Sequence, residues 1–365
     1  MTPREIALRR LAAQHLAEPL DAGAGDVVRA LGAVQAQDYG GAKWGIAQRA
    51  RKLTDAAVEQ AFNAGQLIRT HILRPTWHFV APEDLRWMLA LSAPRVHAAN
   101  GHPYRELELD RSVIRRSHAA VARALRGGRS ATRVELTEVL ARARLGVMTP
   151  RRATFLVMAA ELDGVVCSGP RRGKQFTYTL LDERVAPDAA PVPLRDEALH
   201  RLALRYFTAR GPATAADFAW WSGLTVTEAR RAAHDAEPGL EREAIRGHDH
   251  WHGGAAPGGK GLVHLLPSYD EYFIGFRDRS AMMTEVVPPP RTGTNDRLFL
   301  DVVTAGGQLA GLWRRALGRD GVTITIEPLR SLRERERRAL SPAAARYGAF
   351  LELPHRLETL AEADR

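Results

Sequence analysis

The sequence predicts an α+β fold in which tandem winged-helix (helix-turn-helix) units are followed by a C-terminal β-barrel. Three observations predict it. Helices followed by a hairpin occupy residues 1–81, the order recurs over 82–187, and it begins a third time over 195–255. In the third copy two capping boxes open consecutive helices around a Ser222-Gly223 turn, the helix-turn-helix signature. From 260 to 353 the pattern changes to short β-rich runs and then two helices, as a small barrel or sheet requires.

The elements follow in order. Residues 5–17 place Ile6, Leu8, Leu11, Ala12 and Leu16 near helical period. Asp26 can cap a second helix through Val34, and Thr54 a further one with Val58, Ala61 and Phe62 inward. Two β-rich runs surround Arg74-Pro75 and read as a hairpin. Thr132 and Glu135 form a capping box for a helix to Ala143, and another helix runs over 150–163. Two strands over 165–180 then flank a Gly/Arg-rich tip, and a Pro-rich linker at 186–193 closes this unit. In the third copy 197–209 is helical, Thr214/Asp217 cap a helix ending at Ser222-Gly223, and Thr225/Glu228 cap the next. Strands are predicted at 262–266, 274–276, 298–303, 308–314 and 322–328, a loop at Pro288, and helices at 332–339 and 343–351.

A chain of 365 residues exceeds one compact core, so two or three folding units are expected. Hydrophobic residues at 45% and charged residues at 26% exclude a disordered chain. The net charge of +10 points to a polyanion, most simply nucleic acid. All but four of the 52 basic residues are arginine, whose planar fork suits phosphate, although a GC-rich genome produces the same skew. The lone Cys167 excludes an intrachain disulfide or a cysteine zinc site. No signal-peptide run and no window approaching the roughly 20 apolar residues of a membrane span is present, so a cytoplasmic location is expected.

Gln35 and Gln37 are the most informative residues. At the end of an apolar helix, two neutral amides with acceptor and donor atoms can hold a water, a sugar oxygen or a base edge without a full charge. Alternatively they satisfy carbonyls at the helix end. Arg171, Arg172 and Lys174 at a hairpin tip fit phosphate contact, or a solvated loop. His71, Arg74, Trp77 and His78 cluster on the first hairpin, either lining a cleft or packing as an aromatic pair with a satisfied histidine. His248, His250 and His252 share a strand face but lack a fourth ligand, so no metal is expected. The phosphate-loop spacing of Gly254 to Lys260 fails, because Gly261 stands where Ser or Thr is needed. In Leu265 to Arg279, Asp270 and Asp278 read as an Asp/Arg network closing the barrel onto the helices, whereas Arg277 and Arg279 face a polyanion.

Three segments together resemble the winged-helix DNA glycosylases of the AlkZ/YcaQ type: Val34-Gln-Ala-Gln-Asp38, Leu73-Arg-Pro-Thr-Trp-His-Phe79, and Leu266-Pro-Ser-Tyr-Asp-Glu-Tyr-Phe-Ile-Gly-Phe-Arg-Asp-Arg279. The resemblance covers about residues 4–350 and implies tandem winged helices around a channel. Gln37, where the YcaQ branch has Asp, places the chain with the AlkZ branch. The resemblance implies Gln35 and Gln37 as catalytic residues of a monofunctional glycosylase for alkylated, cationic purines such as N7-alkylguanine, including bulky adducts and crosslinks in some members. Such a base is already a good leaving group, so the enzyme needs only to orient a water at the anomeric carbon. Asp38, His78 and Trp77 are expected to support the site, and Lys43, Arg74, Arg171, Arg172, Lys174, Arg277 and Arg279 to contact DNA. The expected partner is double-stranded DNA containing alkylated bases, bound by a monomer without cofactor, metal or membrane. No lysine adjoins the glutamines to form a Schiff base, which argues against a lyase step. The competing readings are a non-enzymatic winged-helix regulator and a metal nuclease using the His248 cluster.

Overall fold

The computed structural model describes residues 1–187, 192–254, 263–283 and 300–360. The chain divides into two compact units, one made of Met1–Glu59, His200–Trp221 and Thr225–Arg365, the other of Gln60–Leu199 and Ser222–Leu224.

The first unit is built on a five-stranded sheet. Its order is His355–Thr359, Val322–Pro328, Gln308–Leu317, Val302–Ala305 and Val263–Leu266, parallel at the first pairing and antiparallel at the other three. The two end strands do not pair with each other, so among the described residues the sheet is open and the expected barrel is not closed. The helix Glu334–Leu351 explains why closure is unnecessary. Its Leu340, Ala344, Tyr347 and Phe350 join one core with Trp44, Leu265, Trp313, Ile324 and Ile326, which is the burial a barrel would gain by folding on itself. Tyr347 meets both Trp44 and Trp313 edge-on, each at 5.0 Å between ring centroids. The two indoles donate to the carbonyls of Leu265 at 2.6 Å and Leu266 at 2.8 Å, so both are packed and satisfied. This helix is continuous through Pro342, which the sequence reading took as a break. The buried Ala344, Tyr347 and Phe350 beyond the proline outweigh one missing N–H.

Also in this unit, Thr214/Asp217 and Thr225/Glu228 form the expected boxes at the starts of helices Ala215–Ser222 and Val226–Asp235. A hairpin of Glu241–Ile245 and His248–His252 follows. The predicted strand at 274–276 is instead the end of a short helix, Glu271–Ile274, because Asp270 caps it by accepting from Tyr272 N at 2.9 Å.

In the second unit the hairpin Ile68–His71/Trp77–Val80 pairs Ile68 with Val80 and His71 with Trp77, as expected around Arg74-Pro75. The Thr132/Glu135 box opens helix Arg133–Arg142, and Pro150–Leu162 follows. Strands Val166–Ser168 and Thr177–Leu180 form the second hairpin, with Arg172 and Gln175 bridging at its tip. Helices Pro82–Ala99 and Arg111–Leu125 fill a stretch the sequence reading left unassigned. Leu125, Leu136, Leu140, Leu156, Val166 and Tyr178 form the core of this part. Cys167 is buried, and burial pushes its thiol up to about 12, which makes it a packing residue. No helix among the described residues is long and apolar enough to cross a membrane.

Candidate active site

The glutamines lie between two helices of the first unit, and their local structure differs from the expected one. Helix Ala24–Leu31 stops at Gly32, whose φ of 78° is left-handed. A Cβ there would meet Arg205 Cδ at 3.1 Å, so both conformation and space favour glycine. The chain then runs extended through Val34–Gln35, which corrects the expectation of a helix through Val34. Asp38 caps the next helix, Tyr39–Ala47, accepting from Gly41 N at 3.2 Å. Its other oxygen accepts from Ser268 Oγ at 3.2 Å and lies 4.0 Å from Arg315. Arg315 also reaches Asp301 at 3.0 Å. Burial raises the Asp301 carboxyl above the ordinary range, with Arg315 opposing the shift. Asp38 is thus a structural cap held by its neighbours.

The two glutamines have different surroundings. Gln35 is 8% exposed, and its Oε1 is buried with no hydrogen bond from the described residues. Gln37, two residues on, is exposed. A buried amide oxygen without a partner costs about 1–3 kcal/mol. An amide oxygen only accepts, so the group that would satisfy it is a donor.

The backbone around Gln35 is fixed by an ionic network. Gln35 N donates to Glu271 Oε1 at 2.8 Å. Glu271 Oε2 accepts from Arg210 at 2.6 Å and from Trp221 Nε1 at 2.9 Å. Arg210 also donates to the carbonyls of Leu31 at 2.7 Å and Ala33 at 3.0 Å. Its guanidinium stacks 4.4 Å over the Trp221 ring. The adjacent Asp270 pairs with both terminal nitrogens of Arg49, at 2.9 and 2.8 Å. Arg49 reaches Gly45 O and Gln14 Oε1, each at 2.7 Å. The Asp/Arg network expected around Asp270 is therefore present, joining the 267–279 loop to helices and to the glutamine strand. Arg49, Arg210 and Trp221 were missed. Nothing local marks the arginines, since their partners lie up to 221 residues away.

The remaining expected residues separate. Lys43 is 6% exposed, with its amine 2.9 Å from both Asp55 and Glu59. Two internal carboxylates pair with it in this structure. Arg277 is exposed, and its backbone N–H donates to Asp217 at 2.9 Å. Arg279 is half-buried and donates to Phe273 O at 2.8 Å.

In the second unit His78 is 0% exposed, with Nδ1 2.9 Å from Thr76 O. Trp77 stacks on His71 at 4.4 Å, lies under the Arg69 guanidinium at 4.3 Å, and donates to Glu161 at 3.3 Å. This is the aromatic packing alternative. Arg74 is half-buried at the hairpin corner. At the second hairpin tip Lys174 is exposed, Arg172 pairs with Glu135 at 2.7 Å, and Arg171 lies 4.8 Å over Phe176.

His250 and His252 are buried in the third hairpin. Burial lowers both imidazoles from their ordinary value, and the described residues contain no cluster able to hold a metal. Most of the rejected phosphate-loop segment, Ala255 to Gly261, lies outside the described residues.

The fold is that of a solved Streptomyces sahachiroi protein, DNA glycosylase AlkZ, with a TM-score of 0.77 at 23% identity over 98% of this chain and 99% of that one. The model of the family described as DNA glycosylase AlkZ-like matches residues 28–350. The chain belongs to that family, and so to the DNA glycosylases. A curated relative from Streptomyces sahachiroi, the interstrand DNA cross-link repair glycosylase, is 26% identical over 333 residues, covering 85% of this chain and 87% of its own.

Proposed function

We propose that the chain is a monofunctional glycosylase that hydrolyses the N-glycosidic bond of alkylated, cationic purines such as N7-alkylguanine, and that Gln35 and Gln37 position the attacking water. The observation that carries this reading is the buried Oε1 of Gln35, unpartnered among the described residues, two residues from an exposed Gln37. In the reaction, the bond from the anomeric carbon to the base breaks and the electron pair leaves with the base, neutralising its positive charge. Water oxygen bonds to the anomeric carbon and its surplus proton passes to solvent. An amide oxygen accepting from that water orients it without acting as a strong base. A neutral pair offers little field to an uncharged leaving group, so unmodified DNA is a poor substrate. The engagement of Lys43 by Asp55 and Glu59 supports hydrolysis over a lysine Schiff base. The relative's cross-link activity makes interstrand crosslinks a second substrate to assay.

Tandem winged helices are the DNA-binding frame of this proposal. The helix, turn and helix at Ala215–Ser222 and Val226–Asp235, and the Arg172/Lys174 hairpin tip, are its phosphate-facing candidates. The test incubates purified protein with duplex DNA carrying N7-methylguanine and measures released base. Gln35→Ala should lower single-turnover release by about 10²-fold with DNA affinity retained. Release equal to buffer alone, or equal in wild type and Gln35→Ala/Gln37→Ala, sinks the proposal.

A further inference from the structure

We infer that Glu271, with Arg210 and Trp221, is a positioning clamp for Gln35, so that a residue 236 positions away sets where the amide oxygen sits. The inference rests on the catalytic reading of Gln35 and deepens it.

The geometry is specific. Three backbone groups at alternate positions are held: Leu31 O and Ala33 O by Arg210, and Gln35 N by Glu271. The first is a carbonyl that a helix C-terminus leaves unpaired, and the last is the amide of the glutamine itself. A single carboxylate links the two sides, taking Gln35 N on one oxygen and Arg210 with Trp221 on the other. Both charged side chains are 0% exposed, so the pair sits in a medium where charge-assisted hydrogen bonds are short and directional.

A buried ion pair is weak evidence for stability, because desolvation offsets most of its attraction. Its distinctive product here is placement. With the main chain pinned at residues 31, 33 and 35, the Gln35 side chain starts from a fixed Cα. Nearby packing defends the clamp. A Cβ at Gly275 would meet the Glu271 carbonyl at 2.5 Å and Arg210 Nε at 3.1 Å. Because Glu271 is matched by Arg210, the clamp holds the amide without placing an unbalanced charge beside it.

The test is a double-mutant cycle on single-turnover base release with the full chain. Glu271→Gln keeps a side-chain oxygen for Gln35 N but loses the charge that orients Arg210. It should lower the rate at least tenfold while the dissociation constant for lesion DNA stays within about twofold. In a Gln35→Ala background the same change should add less than about twofold, because the clamp acts through Gln35. A rate unchanged by Glu271→Gln overturns the inference, as does an equal loss in both backgrounds, which a merely structural role would give. If Glu271→Gln does not fold, Trp221→Phe removes one hydrogen bond to the carboxylate and should show a smaller loss with the same dependence on Gln35; no loss there overturns the clamp. Failure of the catalytic reading is recognised separately, since Gln35→Ala alone then leaves release unchanged.

Discussion

Arg49→Met isolates the energetics beneath the site. Arg49 is 1% exposed and makes four hydrogen bonds, two to Asp270 at 2.9 and 2.8 Å and one each to Gly45 O and Gln14 Oε1 at 2.7 Å. Methionine matches much of the volume and carries no charge. It leaves Asp270, 6% exposed, with the Tyr272 N–H at 2.9 Å in place of a bidentate partner. Removing one member of a buried pair costs about 3–5 kcal/mol, because the other charge stays desolvated and uncompensated. Asp270→Asn falls at the lower end of that range, since Arg49 retains two neutral acceptors. The double variant Arg49→Met/Asp270→Asn buries no charge and should recover at least about 2 kcal/mol relative to the sum of the singles. Urea unfolding followed by tryptophan fluorescence reads this out, because Trp44 and Trp313 are buried in the same unit. A cost below about 1 kcal/mol for Arg49→Met, or additivity within about 0.5 kcal/mol, would refute the reasoning.

Two further outcomes follow. His264 is fully buried beside Leu16 O at 3.1 Å, and burial lowers its imidazole from 6.5 to about 4. The unfolded chain then binds the extra proton first, so the stabilisation from neutral His264 is complete above pH 6.5 and is lost as pH falls toward 4, by about 3 kcal/mol in total. His264→Gln should flatten the stability profile in that window; parallel profiles for wild type and variant contradict the assignment. At the second hairpin tip, Lys174→Ala should reduce the salt slope of DNA binding by about one unit, and Arg172→Ala by less, because Glu135 holds Arg172 at 2.7 Å. Unchanged slopes in both variants would remove this tip from the DNA interface.

Local chemistry was legible in the sequence where partners are close. The Thr132/Glu135, Thr214/Asp217 and Thr225/Glu228 boxes each connect residues three apart, and all three form. Both hairpins before residue 181 were readable from β-rich runs around turn residues. The helix preceding the glutamines was over-extended, although Gly32 gave the stop signal. Ala33 and Val34 continue an apolar run, and periodicity over so few residues does not separate strand from helix. The glutamines were identified by residue type, but their unequal burial was not visible, because it depends on the fold around them. Lys43, Arg49 and Arg210 look like surface cations in the sequence. Each is internal, and only tertiary pairing reveals it. The sheet's openness was hidden for the same reason: strand patterns do not show which edges meet, and the strand His355–Thr359 was not among those expected.

Consecutive residues Asp270 and Glu271 each close an ion pair, one to Arg49 and the other to Arg210. This has a consequence for transplanting the glutamine motif. Grafting Gln-Ala-Gln onto another scaffold would carry over the amides and leave behind the Glu271 carboxylate that holds the Gln35 N–H. A chain cut before residue 263 would keep both arginines in the interior without their carboxylates. The motif is three residues long on paper, yet the smallest unit that could be moved intact includes residues 31–49, 210–221 and 270–271.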